Sequence, residues 1–218
     1  MFNLVVKDFK LGVSPIFLIM PLLTGALMLI PAWIYFLVPL YFCWITIPNM
    51  FGGFKAQNDL IFTAMMPVTK KDMVKARITV LVVLEILHIG IAMIFGMITL
   101  RLYPELTYYF FSPHMGFWGL CMVMLAIFNL IFIPMYYKTA YKFGKALAAS
   151  LTAAMLFAGI AQWLGIRSAF LADVFNGAGA DRTALQASIL IAGIALFAAF
   201  TIAAYRIAVK RFLKVEIQ

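Results

Sequence analysis

Glu85 and His88 stand three residues apart inside an otherwise apolar run, a spacing that puts both on one face of a helix. A carboxyl and an imidazole so placed suit two kinds of chemistry. They can line a substrate path or relay a proton, since ionisable groups at hydrocarbon depth are costly and usually face the interior and a partner. They can equally form a neutral tie between helices, with Glu85 hydrogen-bonded to His88 or to Asn129 of a later run. Glu85 lies about two helical turns from the nearer edge of its run, which favours the tie or a water-filled vestibule. Asn129 and Gln162 are single amides, suited to hydrogen bonds between helices.

Other chemistry has little to build on. The two cysteines, Cys43 and Cys121, lie in apolar runs, and no Cys-x-x-Cys or Cys/His cluster exists. They read as small buried packing residues, and no metal site is expected. Neither Gly-x-Ser-Gly, His-Glu-x-x-His nor a Glu-Glu pair is present, so an intramembrane enzyme would rest on Glu85 and His88 alone. The one Gly-Lys, Gly144-Lys145, is followed by Ala and lacks the upstream glycine of a phosphate-binding loop. The chain is expected neither to hydrolyse ATP itself nor to carry a cofactor of its own.

The elements that must position these residues are helices in a bilayer. Hydrophobic residues make up 66% of the chain and charged residues 11%, with a mean hydropathy of +1.04. A soluble domain carries about 25% charged residues, so this composition cannot furnish a water-facing surface. Crossing the hydrocarbon takes about 20 apolar residues. No charge occurs between Lys10 and Lys55, about twice one span, and Pro31 near the middle marks a tight turn. Six spans are expected, at about 12–30, 32–50, 78–100, 116–136, 146–166 and 184–206, in one all-α polytopic domain with no separate soluble domain. Lys7, Asp8 and Lys10 precede an apolar stretch too long for a cleavable signal core.

Fourteen of the seventeen Lys and Arg residues fall on the side of the N-terminus; only Arg101, Arg167 and Arg182 fall on the other. The positive-inside rule therefore predicts both termini in the cytoplasm. The net charge of +9 is explained by topology and anionic headgroups, and no nucleic-acid role is expected. Pro21, Pro39, Pro48 and Pro134 are expected to kink their spans, and Pro15 to sit at a helix start. Small residues four apart, Ala146, Ser150, Ala154 and Ala158 and then Ala195, Ala199 and Ala203, predict close helix approach. Phe170 to Phe175, ending at Asn176-Gly177-Ala178-Gly179, predicts a short interfacial or re-entrant helix.

Between the second and third spans lies a segment of about 27 residues, where three or four would suffice. Asn58 or Asp59 can cap a helix that starts after it. Leu60, Ile61, Ala64 and Met65 give that helix an apolar face, and Pro67 ends it. Thr69-x-x-Asp72 is a capping box restarting a helix that runs into the third span. Such an element either lies in the headgroup layer or docks a cytoplasmic partner.

The stretch Asn58-Asp59…Phe62-Thr63…Met66-Pro67-Val68…Lys70-Lys71-Asp72…Val74-Lys75-Ala76-Arg77 resembles the signature of small bacterial ATP-binding-cassette type-2 (ABC-2) permeases. The opening Asn3 to Phe9 is similar to that family's short amphipathic N-terminal helix, and six spans with both ends inside also fit. Met66 and Ile78 depart from the family's commoner Leu and aromatic. The resemblance implies an exporter subunit of the bacterial inner membrane that moves an amphipathic cargo such as a peptide, lipid or drug. It further implies pairing with a second permease copy or paralogue and two separate ATPase subunits, which carry the ATP and Mg. The coupling helix would fall on Asn58 to Pro67, with Asn58, Asp59, Phe62, Met65, Met66 and Pro67 at the ATPase and Lys70 and Lys71 flanking. An external gate is implied between the last two spans. A secondary carrier or channel, or an enzyme centred on Glu85 and His88, is the competing reading, although no internal repeat supports a carrier.

Overall fold

The computed structural model describes residues 2–139, 142–177 and 179–215, and among them every regular element is helical. Helix α1 (Phe2–Gly12) is followed after three residues by α2 (Ile16–Ala26), which tightens into a 3-10 turn at Leu27–Leu29. The two are bent by 68°, so they form at most one broken span. Pro15 stands at the N-cap of α2, as its missing N–H allows.

The second span is a rod from Leu37 to Ala56, composed of α3 (Leu37–Tyr41), a π turn (Phe42–Thr46) and α4 (Ile47–Ala56). Pro48 cannot donate to the carbonyl of Trp44 and its ring crowds that carbonyl, a sufficient reason for the preceding turn to widen. The expected tight turn at Pro31 is instead an irregular connection over 30–36. Ala32 has φ 56°, and Tyr35 donates from its hydroxyl to the Ile30 carbonyl at 3.1 Å.

A short helix α5 (Asp59–Ala64) leads to α6 (Lys70–Leu102), α7 (Met115–Thr139) and α8 (Phe143–Arg167). Then come α9 (Ala169–Asn176) and α10 (Ala180–Phe212). Both α4 and α6 overrun the expected spans, so the connection between them shrinks to residues 57–69. Among the described residues five helices are long and apolar enough to cross a membrane, or six if the bent α1–α2 pair is counted as one span. Helix α9 is the short helix expected from Phe170 to Phe175; Ser168 Oγ accepts from the Leu171 N–H and Gly177 follows the last turn. Ala178 of the expected glycine turn lies outside the described residues.

Helix α7 is the centre of the bundle, with Phe117, Phe128 and Phe132 fully buried. Phe51 of α4 packs edge-on against Phe132 and Tyr136, with ring centres 4.8 and 4.6 Å apart. On one side α8 meets the core through Ala146, Ser150, Ala154 and Ala158, all buried, so this small-residue stripe is an internal seam. On the other side α10 crosses α7 at Gly119 and Gly193: a Cβ on Gly193 would lie 2.3 Å from the Gly119 carbonyl oxygen. The Ala195 and Ala199 stripe of α10 faces outward instead. Cys43 and Cys121 are buried free thiols.

Candidate functional site

Helices α1 and α5, the start of α6 and the end of α10 meet at one end of the bundle, where most of the Lys and Arg residues collect. There α5 reverses the arrangement of an ordinary surface helix, whose apolar stripe faces the core. Its inward residues are polar: Asp59 and Thr63 are each 2% exposed. Its outward residues are apolar: Phe62 is 58% exposed and Met65 79%. The residues expected to form the apolar face, Leu60, Ile61, Ala64 and Met65, are divided between half-buried and exposed positions. Leu60 packs partly against the core, whereas Ala64 and Met65 point away from it.

Buried charge explains the reversal. Arg77 Nε donates to Asp8 Oδ2 at 2.8 Å, and Arg77 Nη2 donates to Asp59. Lys7 Nζ pairs with Asp59 Oδ1 at 2.6 Å and with Asp8 Oδ1 at 3.1 Å. The Thr63 hydroxyl accepts from Lys7 and donates to the Asp59 carbonyl oxygen at 2.7 Å. Two cations thus meet two carboxylates, and the group is electrically neutral as a whole, the condition under which buried charges are tolerated. Burial works to raise the Asp59 pKa, but the Arg77 charge and the Lys7 and Arg77 hydrogen bonds outweigh it and hold that carboxyl below its usual range. Arg77 also lies 3.4 Å over the centre of the Phe54 ring.

Of the residues expected at a docking surface, Asn58, Phe62, Met65, Pro67 and Lys71 are exposed and Met66 is half-buried. Asp59 is inside the ion cluster, not on the surface. Asn58 occupies the N-cap position of α5 with φ 49°, yet its side chain makes no capping bond. Lys70 is turned inward: its Nζ donates to the Val215 carbonyl at 2.6 Å and lies over the Phe212 ring, tying α6 to the end of α10. The capping box holds as expected, with the Asp72 N–H donating to Thr69 Oγ1 at 3.1 Å and Thr69 Oγ1 to Asp72 Oδ2 at 2.6 Å. Beside Phe62 an open hollow of about 470 Å³ is walled by Asn3, Val6, Lys10 and Leu11 of α1. Asp8 and Phe54 were not singled out from sequence, nor was Lys7 as a partner of Asp59. The available signal was an acid, Asp8, between Lys7 and Lys10 in the N-terminal helix.

The intramembrane polar residues divide into two sets. Asn129 Nδ2 donates to Glu85 Oε2 at 2.9 Å, linking α7 to α6, with Glu85 and Asn129 both fully buried. His88 is buried too but turns to the first two spans. Its Nε2 is 3.0 Å from the Val38 carbonyl and 3.4 Å from Thr24 Oγ1, and its ring packs on Phe42 of the π turn. Of the two ties expected for Glu85, the one to Asn129 forms. Gln162 on α8 is buried at the edge of a groove between α3 and α8.

The family model described as ABC-2 family transporter protein matches residues 3–212, nearly the whole chain. No curated protein and no solved structure matches it. A match of this extent over a bundle of apolar helices shows a multi-pass membrane permease, a transport component that partners ATP-binding-cassette ATPase subunits. The chain belongs to the ABC-2 family of transporter proteins.

Proposed function

We propose that this permease belongs to an exporter of amphipathic cargo, driven by ATPases on separate chains. The observation that carries the reading is α5: a helix with buried polar residues and an outward Phe62 and Met65 is a surface prepared for another protein. Asn58 to Pro67 is the coupling helix, seated in a cleft of the ATPase, with Lys71 beside it. The ion cluster joins it to α1 and α6, so that movement of the ATPase is passed to the first and third spans rather than dissipated in a loop. Both termini and α5 are cytoplasmic, in a bacterial inner membrane, in keeping with the basic residues gathered at this end. Two permease chains pair with two ATPases, which bind the ATP and Mg. An amphipathic cargo suits the groove of about 380 Å³ between α3 and α8, whose wall of Leu37, Trp44, Met155 and Trp163 includes one amide, Gln162.

The test is co-purification of the full chain in detergent with candidate ATP-binding-cassette ATPases, wild type against Phe62→Asp/Met65→Asp. Stoichiometric binding that the variant abolishes, while its helicity and unfolding temperature stay at wild-type values, supports the reading. Binding indifferent to the variant removes α5 as the docking element.

A further inference from the structure

Along α6 and α10, on the face away from α2, the bundle is not closed. A crevice of about 280 Å³ opens between Ile78, Val82 and Val83 of α6 and Thr201, Ile202 and Tyr205 of α10, with Lys75 at its mouth. A second opening of about 190 Å³ continues the same helix rows, at Ile86, Gly90 and Met93 against Leu190 and Ile194. The α6 residues follow one another at intervals of three and four, so they lie on one stripe. From Lys75 to Met93 that stripe runs roughly 27 Å at 1.5 Å per residue, the scale of an extended acyl chain. A Cβ on Gly90 would meet nothing within 4 Å, which marks open space at that point of the stripe.

The mouth of the crevice is basic. Lys71 stands one turn before Lys75 on α6, and Arg206 and Lys210 stand one and two turns beyond Ile202 on α10. All four are exposed, and none takes part in an ion pair among the described residues. Just inside the mouth, the buried Thr201 hydroxyl has no hydrogen-bond partner.

We infer that this crevice is a binding site for an anionic phospholipid, with the acyl chain along the α6–α10 stripe and the phosphate at Lys75 and Arg206. The pattern matches each part of such a molecule. The apolar stripe takes a tail, and the four cations complement a headgroup with net negative charge. Asp72 offsets part of the Lys75 charge, a zwitterionic headgroup brings no net negative charge to the remainder, and a second copy of this chain would bring its own basic end against this one. The lipid here is a resident of the outer surface of one permease and is distinct from cargo in the α3–α8 groove. The inference does not depend on which ATPase docks at α5.

The experiment titrates the full chain in detergent with phosphatidylglycerol or phosphatidylcholine and counts retained lipid by native mass spectrometry. Wild type should hold phosphatidylglycerol in preference to phosphatidylcholine. Lys75→Gln/Arg206→Gln should lose that preference by about tenfold or more, since each cation near the headgroup is worth about 1 kcal/mol. Gly90→Leu, which the open space accommodates, should fill the stripe and reduce retention of both lipids with the helicity unchanged. Equal retention by wild type and Gly90→Leu overturns the site, because the lipid is then bound elsewhere. Absence of a headgroup preference in the wild type overturns the anionic assignment. Disulfide cross-linking between two copies carrying Val83→Cys, undiminished by added phosphatidylglycerol, overturns it in favour of a second copy of the chain.

Discussion

The Arg77 guanidinium lies 3.4 Å from the centre of the Phe54 ring, and the same ring fills the space a Cβ on Gly12 would need, 2.1 Å away. Three elements distant in sequence are locked by this stack: α1 through Gly12 and Asp8, the end of α4 through Phe54, and α6 through Arg77. Helix α5 joins the lock by Asp59 and Thr63. The attachment of α5 is therefore electrostatic on its inner face, leaving the apolar outer face uncommitted.

Removing Arg77 leaves two buried carboxylates with only Lys7 between them. Arg77→Met is expected to destabilise by about 3–5 kcal/mol, the cost of breaking a buried ion pair from one side. Arg77→Lys keeps the charge but loses the planar fork and the ring stack, and should fall between the two. Asp59→Asn combined with Arg77→Met should recover part of the loss. Thermal unfolding in detergent, followed by circular dichroism, reads all three; an Arg77→Met variant as stable as wild type would show that the cluster contributes nothing.

Acid should release the same cluster. The folded-state pKa of Asp59 lies below its usual range, since burial, which acts to raise it, is outweighed by Arg77 and Lys7. A carboxyl lowered in the folded state contributes stability above its unfolded pKa and loses it as pH falls through the folded value. The unfolding temperature is expected to hold from neutral pH down to the ordinary carboxylate range and to drop below it. In Asp59→Asn this part of the drop should disappear. A profile unchanged by the substitution would remove Asp59 as its cause.

The limits of reading the site from sequence follow from the same residues. Thr69-x-x-Asp72 was legible because both partners of the capping bonds lie within one turn. The inner face of α5 was not, because Asp59 chooses its orientation from Lys7 and Arg77, 52 and 18 residues away. Five of the apolar runs form helices long enough to cross a membrane and the first forms the bent α1–α2 pair, whereas the helix ends shift from their expected places. Helices α4 and α6 continue past the expected spans, α6 from the capping box at Thr69. Glu85 was recognisable as an ionisable group inside a span, but whether it meets His88 or Asn129 depends on where α7 crosses α6. His88 is taken by the Val38 carbonyl of the second span.

The α7–α10 crossing makes a sharper prediction about glycine. A Cβ on Gly119 would lie 2.6 Å from the Ile189 carbonyl oxygen, and one on Gly193 would lie 2.3 Å from that of Gly119. Both neighbours are backbone, which cannot rotate aside. Gly193→Ala is expected to force the helices apart at a cost of about 1–3 kcal/mol, and Gly193→Leu more. Gly159, where a Cβ meets nothing within 4 Å, is the control, and Gly159→Ala should leave the unfolding temperature unchanged. Equal effects at Gly193 and Gly159 would contradict the close crossing.

The Glu85–Asn129 tie separates a neutral acid from a trapped charge. Glu85 accepts one hydrogen bond from Asn129 and enters no ion pair among the described residues, while Glu85 Oε1 and Asn129 Oδ1 both lack a partner. A protonated carboxyl supplies a donor beside an amide oxygen that lacks one, and an unpaired carboxylate at this depth is costly. Glutamine reproduces that pattern, with its NH₂ in place of the acid O–H. Glu85→Gln is therefore expected to be as stable as wild type, whereas Glu85→Ala should lose about 1–3 kcal/mol by leaving the Asn129 amide unpaired. Glu85→Leu with Asn129→Leu should lie closer to wild type than either single leucine variant, because no orphan remains. If Glu85→Gln is instead as damaging as Glu85→Ala, the side chain is held as an anion. A counter-charge must then reach it from a partner, and the tie becomes part of a path.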